Sequence, residues 1–155
     1  MKKKEEKIVV VSGGFDPLHI GHIRYMQEAK KLGDKLVVIL NNDNWFKVKG
    51  KPVFMSHHER KEIIEALECV DEVIISKHEE DTTDISVSRE LLKIKPHIFA
   101  NGGDRKPEDN DVPSSEYEVC KKLNIEMVFN VGHGGKVRSS SLLLKEYAKK
   151  LKDKK

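Results

Sequence analysis

Apolar residues along this chain follow two alternating patterns. Short continuous runs, "IVVV" at 8–11, "LVVIL" at 36–40 and "VII" at 73–75, lack the polar alternation of a half-exposed strand. They read as strands buried on both faces. Between them the spacing becomes helical. "HIRYMQEAKKL" puts Ile23, Met26, Ala29 and Leu32 on one face, with Gly33 as the C′ residue that ends the helix. "SHHERKEIIEALECV" opens with Ser56 and Glu59 at capping-box spacing and continues as an amphipathic helix. A helix over about 84–94, a strand at 97–101, a helix at 114–123, a strand at 125–131 and a helix from Ser139 to about Leu151 complete the series. Five strands separated by five helices predict an α/β class chain: a doubly wound, Rossmann-like, five-stranded parallel sheet with helices on both faces.

The length of 155 residues fits one domain, 1–155, large enough to bury a core without disulfides or a structural metal. Ligands of such sheets bind beyond the carboxyl ends of the strands, where the connectivity reverses. The unusual loops "GGFDPLH", "NNDNWFKVKGK", "NGGDRKPEDN" and "GHGGKVRSSS" all follow strands, which predicts one composite site. The net charge of +3 is concentrated at the ends: residues 1–7 carry +2 and residues 145–155 carry +4, leaving about −3 between them. Residues 1–6 and 152–155 therefore read as flexible basic tails, and no nucleic-acid partner is expected. "IVVV" is too short for a signal-peptide core, and no segment suits a membrane. Cys69 and Cys120 stand alone and read as reduced helix cysteines, so the expected location is cytoplasmic.

The candidate chemistry starts at "VVVSGGFDPLHIGHIRYM". No GxxxxGK[ST] run exists, and "GGFDPLHIG" fails the GxGxxG fingerprint because large residues stand where its third glycine should be. Gly13 and Gly14 would let the backbone approach an anion, and a helix start just beyond them offers unpaired N–H groups. His19 and His22, three apart at that start, can lean toward one point and donate to phosphate oxygens whose charge grows during a reaction. No third ligand accompanies them, so no metal site is assigned. Ser139, Ser140 and Ser141 supply hydroxyls and N–H groups for further phosphates, more than capping alone requires.

"GGFDPLHIGH" resembles the GxFDxxHxGH signature of the cytidylyltransferase-like nucleotidyltransferases, and the similarity runs from about Ile8 to Leu144. The resemblance implies that His19 and His22 bind a nucleoside triphosphate, that the backbone around Gly13, Gly14 and Phe15 touches phosphate, and that Asp16 lies near the acceptor. "WFKVKGKPVFMSHHERKEIIEALECVDEVI" resembles the family's lysine loop and following xxER helix. It makes Lys47 an acceptor contact and Lys49 and Arg60 catalytic phosphate contacts. "FANGGDRKPED" resembles the GGD loop of the heptose 1-phosphate adenylyltransferase branch, which lies beside the nucleotide, so Gly103 and Asp104 are nucleotide-binding candidates. "EEDT" at 79–82 is shared with that branch. The family's ISTT- or ISSS-like run corresponds to "RSSS", and one branch carries an arginine several residues earlier. Here "GHGGK" occupies that region and Arg138 directly precedes the serines, so Arg138 or Lys136 would supply the charge.

The implied reaction transfers AMP or CMP from an NTP, with Mg²⁺, to a phosphorylated small molecule and releases pyrophosphate. "GGD" and "EEDT" favour ATP with a sugar phosphate such as heptose 1-phosphate. CTP with glycerol 3-phosphate or another alcohol phosphate is the alternative, matched by the short free-standing chain. The acceptor phosphate, whose second pKa is about 6, is ionised at neutral pH and needs no general base. The resemblance also implies a homodimer. Two readings lie outside it: a non-catalytic nucleotide-binding sensor, which would bind NTP without releasing pyrophosphate, and a flavodoxin-like binder, which would take FMN and no NTP.

Overall fold

A computed structural model of the chain describes residues 5–102, 112–132 and 139–154. The elements run β1 (Ile8–Gly13), α1 (Ile20–Lys30), β2 (Lys35–Leu40), α2 (Asp43–Val48), α3 (His57–Glu65), β3 (Glu72–Ile75), α4 (Ser88–Ile94), β4 (Ile98–Gly102), α5 (Ser114–Lys122), β5 (Glu126–Val131) and α6 (Ser140–Asp153). All four strand pairings are parallel, in the order β3-β2-β1-β4-β5. The chain steps outward from β1 through β2 to β3, then returns to lay β4 on the other side of β1. The connectivity thus reverses between β1 and β4, and this gap is where the loops diverge.

β1 shows why its apolar run is continuous. Val9 and Val11 face a cluster with Met26 and Ala29 of α1 and Ile64 of α3. Val10, between them, faces the opposite cluster with Leu91 of α4 and Cys120 of α5. All three valines are 0% exposed. Burying each such side chain contributes about 1.5–3 kcal/mol, so both faces of the central strands must be apolar. Burial also pushes the Cys120 thiol up to about 11, which keeps it protonated and unreactive at neutral pH.

Four sequence expectations need correction. "NNDNWFKVKGK" contains the short helix α2, begun by Asn42, whose side chain accepts from the Trp45 N–H. The fourth helix starts at Ser88 rather than near residue 84, because Asp84 and Thr82 take local bonds: Ser86 N–H donates to Asp84 Oδ1, and Asp84 N–H to Thr82 Oγ1. Gly33 is not the left-handed residue after α1. A Cβ there would lie 2.7 Å from the Lys7 carbonyl oxygen, so close approach of the chain requires the glycine. Cys69 sits in the turns after α3, not within a helix.

Candidate functional site

A cavity of about 680 Å³ opens over the carboxyl ends of the strands, lined by Ser12 and Gly13 of β1, Asn41 after β2, Asn101 and Gly102 of β4, and Val131 of β5. The start of α1 and the start of α6 complete its wall through His19, His22, Ser139, Ser140 and Ser141. The volume lies in the range of small-molecule sites. Of the candidates read from the sequence, Gly13, Gly14, Phe15, Asp16, His19, His22, Lys49 and the three serines line it. Lys47 and Arg60 do not. Gly103, Asp104, Lys136 and Arg138 lie outside the described residues.

His19 is the N-cap of α1. Its Nδ1 accepts from Gly21 N–H at 3.1 Å, while Nδ1 of His22 accepts from His19 N–H at 3.2 Å. The two histidines thus form a reciprocal capping box. An accepting Nδ1 carries no proton, so the neutral ring holds it on Nε2, the donating nitrogen. The rings stack at 3.6 Å between centroids, 23° from parallel. Capping therefore fixes both orientation and tautomer, and two donors are carried side by side at the positive end of a helix.

The glycines serve this geometry through the aromatic residues around them. Phe15 has φ +52, in the left-handed region, and packs edge-on against His22 at 4.9 Å. A Cβ on Gly13 would lie 2.7 Å from the Phe15 ring, and one on Gly14 would lie 2.6 Å from Phe46. Both positions exclude a side chain because rings press on them. Asp16, which precedes a cis proline, is 6% exposed, and its carboxylate accepts from Phe54 N–H at 2.6 Å and Met55 N–H at 2.8 Å. Expected near the acceptor, it holds the loop before α3 against the motif.

Arg60 is the larger correction. It is 1% exposed and has no face on the cavity. Its Nε donates to the Met55 carbonyl at 2.9 Å, and one terminal nitrogen donates to the carbonyls of Gly14 at 2.7 Å and Asn41 at 2.8 Å. The other pairs with Asp43 Oδ1 at 2.7 Å. The guanidinium thus clamps the ends of β1 and β2, α2 and the loop before α3 from beneath. It is a positioning residue. Beside this clamp, His57 Nδ1 accepts from Asp43 N–H at 3.0 Å. Burial lowers the His57 pKa, Asp43 opposes the shift, and His58 and Arg60 reinforce it.

The lysines divide. Lys47 points away toward Glu80, at 4.0 Å. Lys49 stays at the cavity with its Nζ 4.5 Å over the Trp45 ring, and Lys51 also lines the wall. At the far side Ser139 caps α6, while Ser140 Oγ donates to the Pro17 carbonyl at 2.9 Å and ties that helix start to the histidine loop. Sequence reasoning missed Tyr25, Asn41, Trp45 and Asn101. Only Trp45, the single tryptophan, carried a signal, since a large aromatic in a polar loop is unusual. Among the described residues no group of three His, Cys, Asp or Glu side chains is gathered to hold a metal ion, and no helix is long and apolar enough to cross a membrane.

The chain is similar to known proteins in sequence and in fold. The family model described as Cytidylyltransferase-like matches residues 10–134. A FAD synthase of Thermococcus sibiricus is 40% identical over 129 residues, 81% of each chain. The bifunctional protein HldE of Pelobacter propionicus is 44% identical over 110 residues, 69% of this chain and 21% of that protein, so the chain spans about a fifth of its length. A lipopolysaccharide core biosynthesis protein from Thermoplasma volcanium matches in structure with a TM-score of 0.65 and 30% identity, over 83% of this chain and 99% of the other.

Proposed function

Because the chain belongs to the cytidylyltransferase-like family and is a nucleotidyltransferase, we propose that it transfers AMP from ATP to the phosphate of a small-molecule phosphomonoester and releases pyrophosphate. The choice of ATP over CTP is supported by the FAD synthase relative, whose product contains an AMP unit, and by the sequence likeness to the heptose 1-phosphate adenylyltransferase branch. FMN and sugar 1-phosphates are the acceptors these two resemblances favour. The observation that carries the reading is the stacked pair His19 and His22, capped into one tautomer at a helix start that opens on the cavity.

The reaction on this reading is a direct displacement. An oxygen of the acceptor phosphate attacks the α-phosphorus in line, and the bond to the β-phosphate oxygen breaks as pyrophosphate leaves. Nε2–H of His19 and His22 donates to the phosphate oxygens that gain charge. Pre-oriented donors of this kind contribute roughly 3 kcal/mol each to the rate. Ser139, Ser140, Ser141 and the N-terminus of α6 receive the leaving pyrophosphate, helped by Arg138. By the resemblance of "NGGD" to the family's nucleotide loop, Gly103 and Asp104 bind the adenosine part. Lys49 and Lys51 meet the acceptor's phosphate opposite. Mg²⁺ enters as part of the substrate on the triphosphate oxygens, as this ion usually does in phosphate chemistry. The exposed Tyr147 and Leu151, one turn apart on α6, offer an apolar face for the homodimer that the resemblance implies.

The test is pyrophosphate release with Mg²⁺, four NTPs and a panel of FMN, sugar 1-phosphates and glycerol 3-phosphate. Release with ATP and one of the first two acceptor classes is expected. Preference for CTP would overturn the nucleotide assignment. ATP binding without release from any pair would make the protein a sensor.

A further inference from the structure

Trp45 is half-buried, and two contacts orient its ring. Nε1–H donates to the Ile85 carbonyl at 3.1 Å, and the ring meets Phe46 edge-on at 4.9 Å and 86°. Phe46 in turn fills the space beside Gly14. The ring lines the cavity, and the ammonium of Lys49, an exposed residue, lies over its face. Four residues back, Asn41 is 5% exposed and also lines the cavity, and its Oδ1 has no hydrogen-bond partner among the described residues. Packing against Phe46 would account for a tryptophan here. It does not account for a ring pinned by its N–H with a face at the cavity, beside a buried oxygen left without a donor.

We infer that Trp45 and Asn41 recognise the non-phosphate part of the acceptor, selecting a phosphomonoester that carries both a ring and hydroxyl groups over an acyclic alcohol phosphate. The inference rests on the reading of this cavity as a nucleotidyl-transfer site. In-line displacement puts the acceptor opposite the leaving pyrophosphate. With the serines of α6 on the leaving side, the acceptor comes from the β2 side, where Trp45, Asn41, Lys49 and Lys51 stand. An incoming phosphate dianion attracts the Lys49 ammonium more strongly than an exposed indole does. Lys49 therefore swings to the phosphate and uncovers the ring face. A sugar ring or an isoalloxazine then stacks on the indole, and a hydroxyl of the sugar or ribityl chain donates to Asn41 Oδ1. Glycerol 3-phosphate has hydroxyls but no ring, so it uses half of this surface.

The single tryptophan makes the inference directly readable. Sugar 1-phosphate should change the indole emission of the wild-type protein, FMN emission should be quenched on binding, and glycerol 3-phosphate should do neither at matched concentration. In steady-state assays Trp45→Ala should raise the KM of ring-bearing acceptors about tenfold, with little change in that of ATP, and Trp45→Phe should recover most of the loss. Asn41→Ala should also raise the acceptor KM, and it carries the kinetic test together with Trp45→Phe if Trp45→Ala fails to fold. A KM change that falls on ATP instead, or glycerol 3-phosphate preferred over ring-bearing acceptors, would overturn the assignment. If no pair releases pyrophosphate, the transfer reading fails, while the emission titrations still decide the inference: an unmoved indole sinks it, and a response to ring-bearing phosphomonoesters alone sustains it.

Discussion

His22 has two jobs in the proposed reaction, one for each nitrogen: Nδ1 accepts the His19 N–H, and Nε2 donates to phosphate. The jobs separate by substitution. His22→Ala removes both, and turnover should drop roughly a hundredfold or more, with about 1 kcal/mol of stability lost with the cap. His22→Asn keeps a short side-chain acceptor for the cap, so it should melt near the wild type while staying as inactive as the alanine variant. Pyrophosphate release and thermal melting measure the two effects, and an active His22→Asn would remove imidazole from the mechanism. Arg60 yields a different prediction. Arg60→Met leaves the carbonyls of Gly14, Asn41 and Met55 without their donor and Asp43 without its ion-pair partner. Breaking a buried pair in this way costs about 3–5 kcal/mol, and Arg60→Lys, lacking the planar fork, should recover little of it. The denaturant midpoint checks this; a midpoint near wild type with lost activity would return Arg60 to direct phosphate contact. The pairing of the two histidines at the cavity could be read from the chain, because a spacing of three at a helix start brings the rings together. The role of Arg60 could not, because three carbonyls that converge on one guanidinium come from segments far apart in sequence.

At the scale of elements, the strands were legible and the shortest helix was not, for one physical reason. A buried parallel strand writes its burial into every residue, as "IVVV" and "LVVIL" do. A six-residue helix such as Asp43–Val48 completes fewer than two turns and leaves no period to detect. Yet α2 is the element that carries Trp45 and Phe46 to the site. The glycine doublet was legible as a place of close approach, read as room for an anion, but the chain did not reveal that the rings of Phe15 and Phe46 fill that space. Gly14→Ala tests this. The added Cβ meets a Phe46 ring that is 6% exposed and held under the Arg60 guanidinium at 4.9 Å, so neither neighbour can yield easily. Overpacking should cost about 1–3 kcal/mol. Trimming the ring in Gly14→Ala/Phe46→Leu should recover part of that loss, a coupling that a double-mutant cycle of unfolding free energies measures. Strict additivity would place the strain elsewhere.

Over the whole molecule, three titrating groups among the described residues pull stability in one direction with pH. Burial lowers His57 from its ordinary 6.5 against the opposing charge of Asp43, and its Nδ1 accepts from Asp43 N–H, a bond that the protonated ring cannot make. For Asp71 burial acts upward, but Lys30, the Leu36 N–H and the charge of Lys35 outweigh it and hold the carboxyl below its ordinary 3.8. Asp84 is lowered chiefly by its bond from Ser86. Each group has a lower pKa folded than unfolded, so folding favours the deprotonated form. The His57 contribution is complete above 6.5 and is lost as pH falls through the lowered folded value. Those of Asp71 and Asp84 are complete above 3.8 and are lost below it in the same way. Stability should therefore stay level from pH 8 to about 6.5, decline in a first acid step, and decline again below about pH 4. Denaturant midpoints across this range measure both steps. His57→Gln should abolish the first and keep the second, because Asp71 ties α1 to the start of β2 and Asp84 orders the loop before α4, both remote from the clamp at Asp43. A midpoint that rises as pH falls from 7 to 5, or a first step that survives in His57→Gln, would show that these groups do not set the acid limit of the fold.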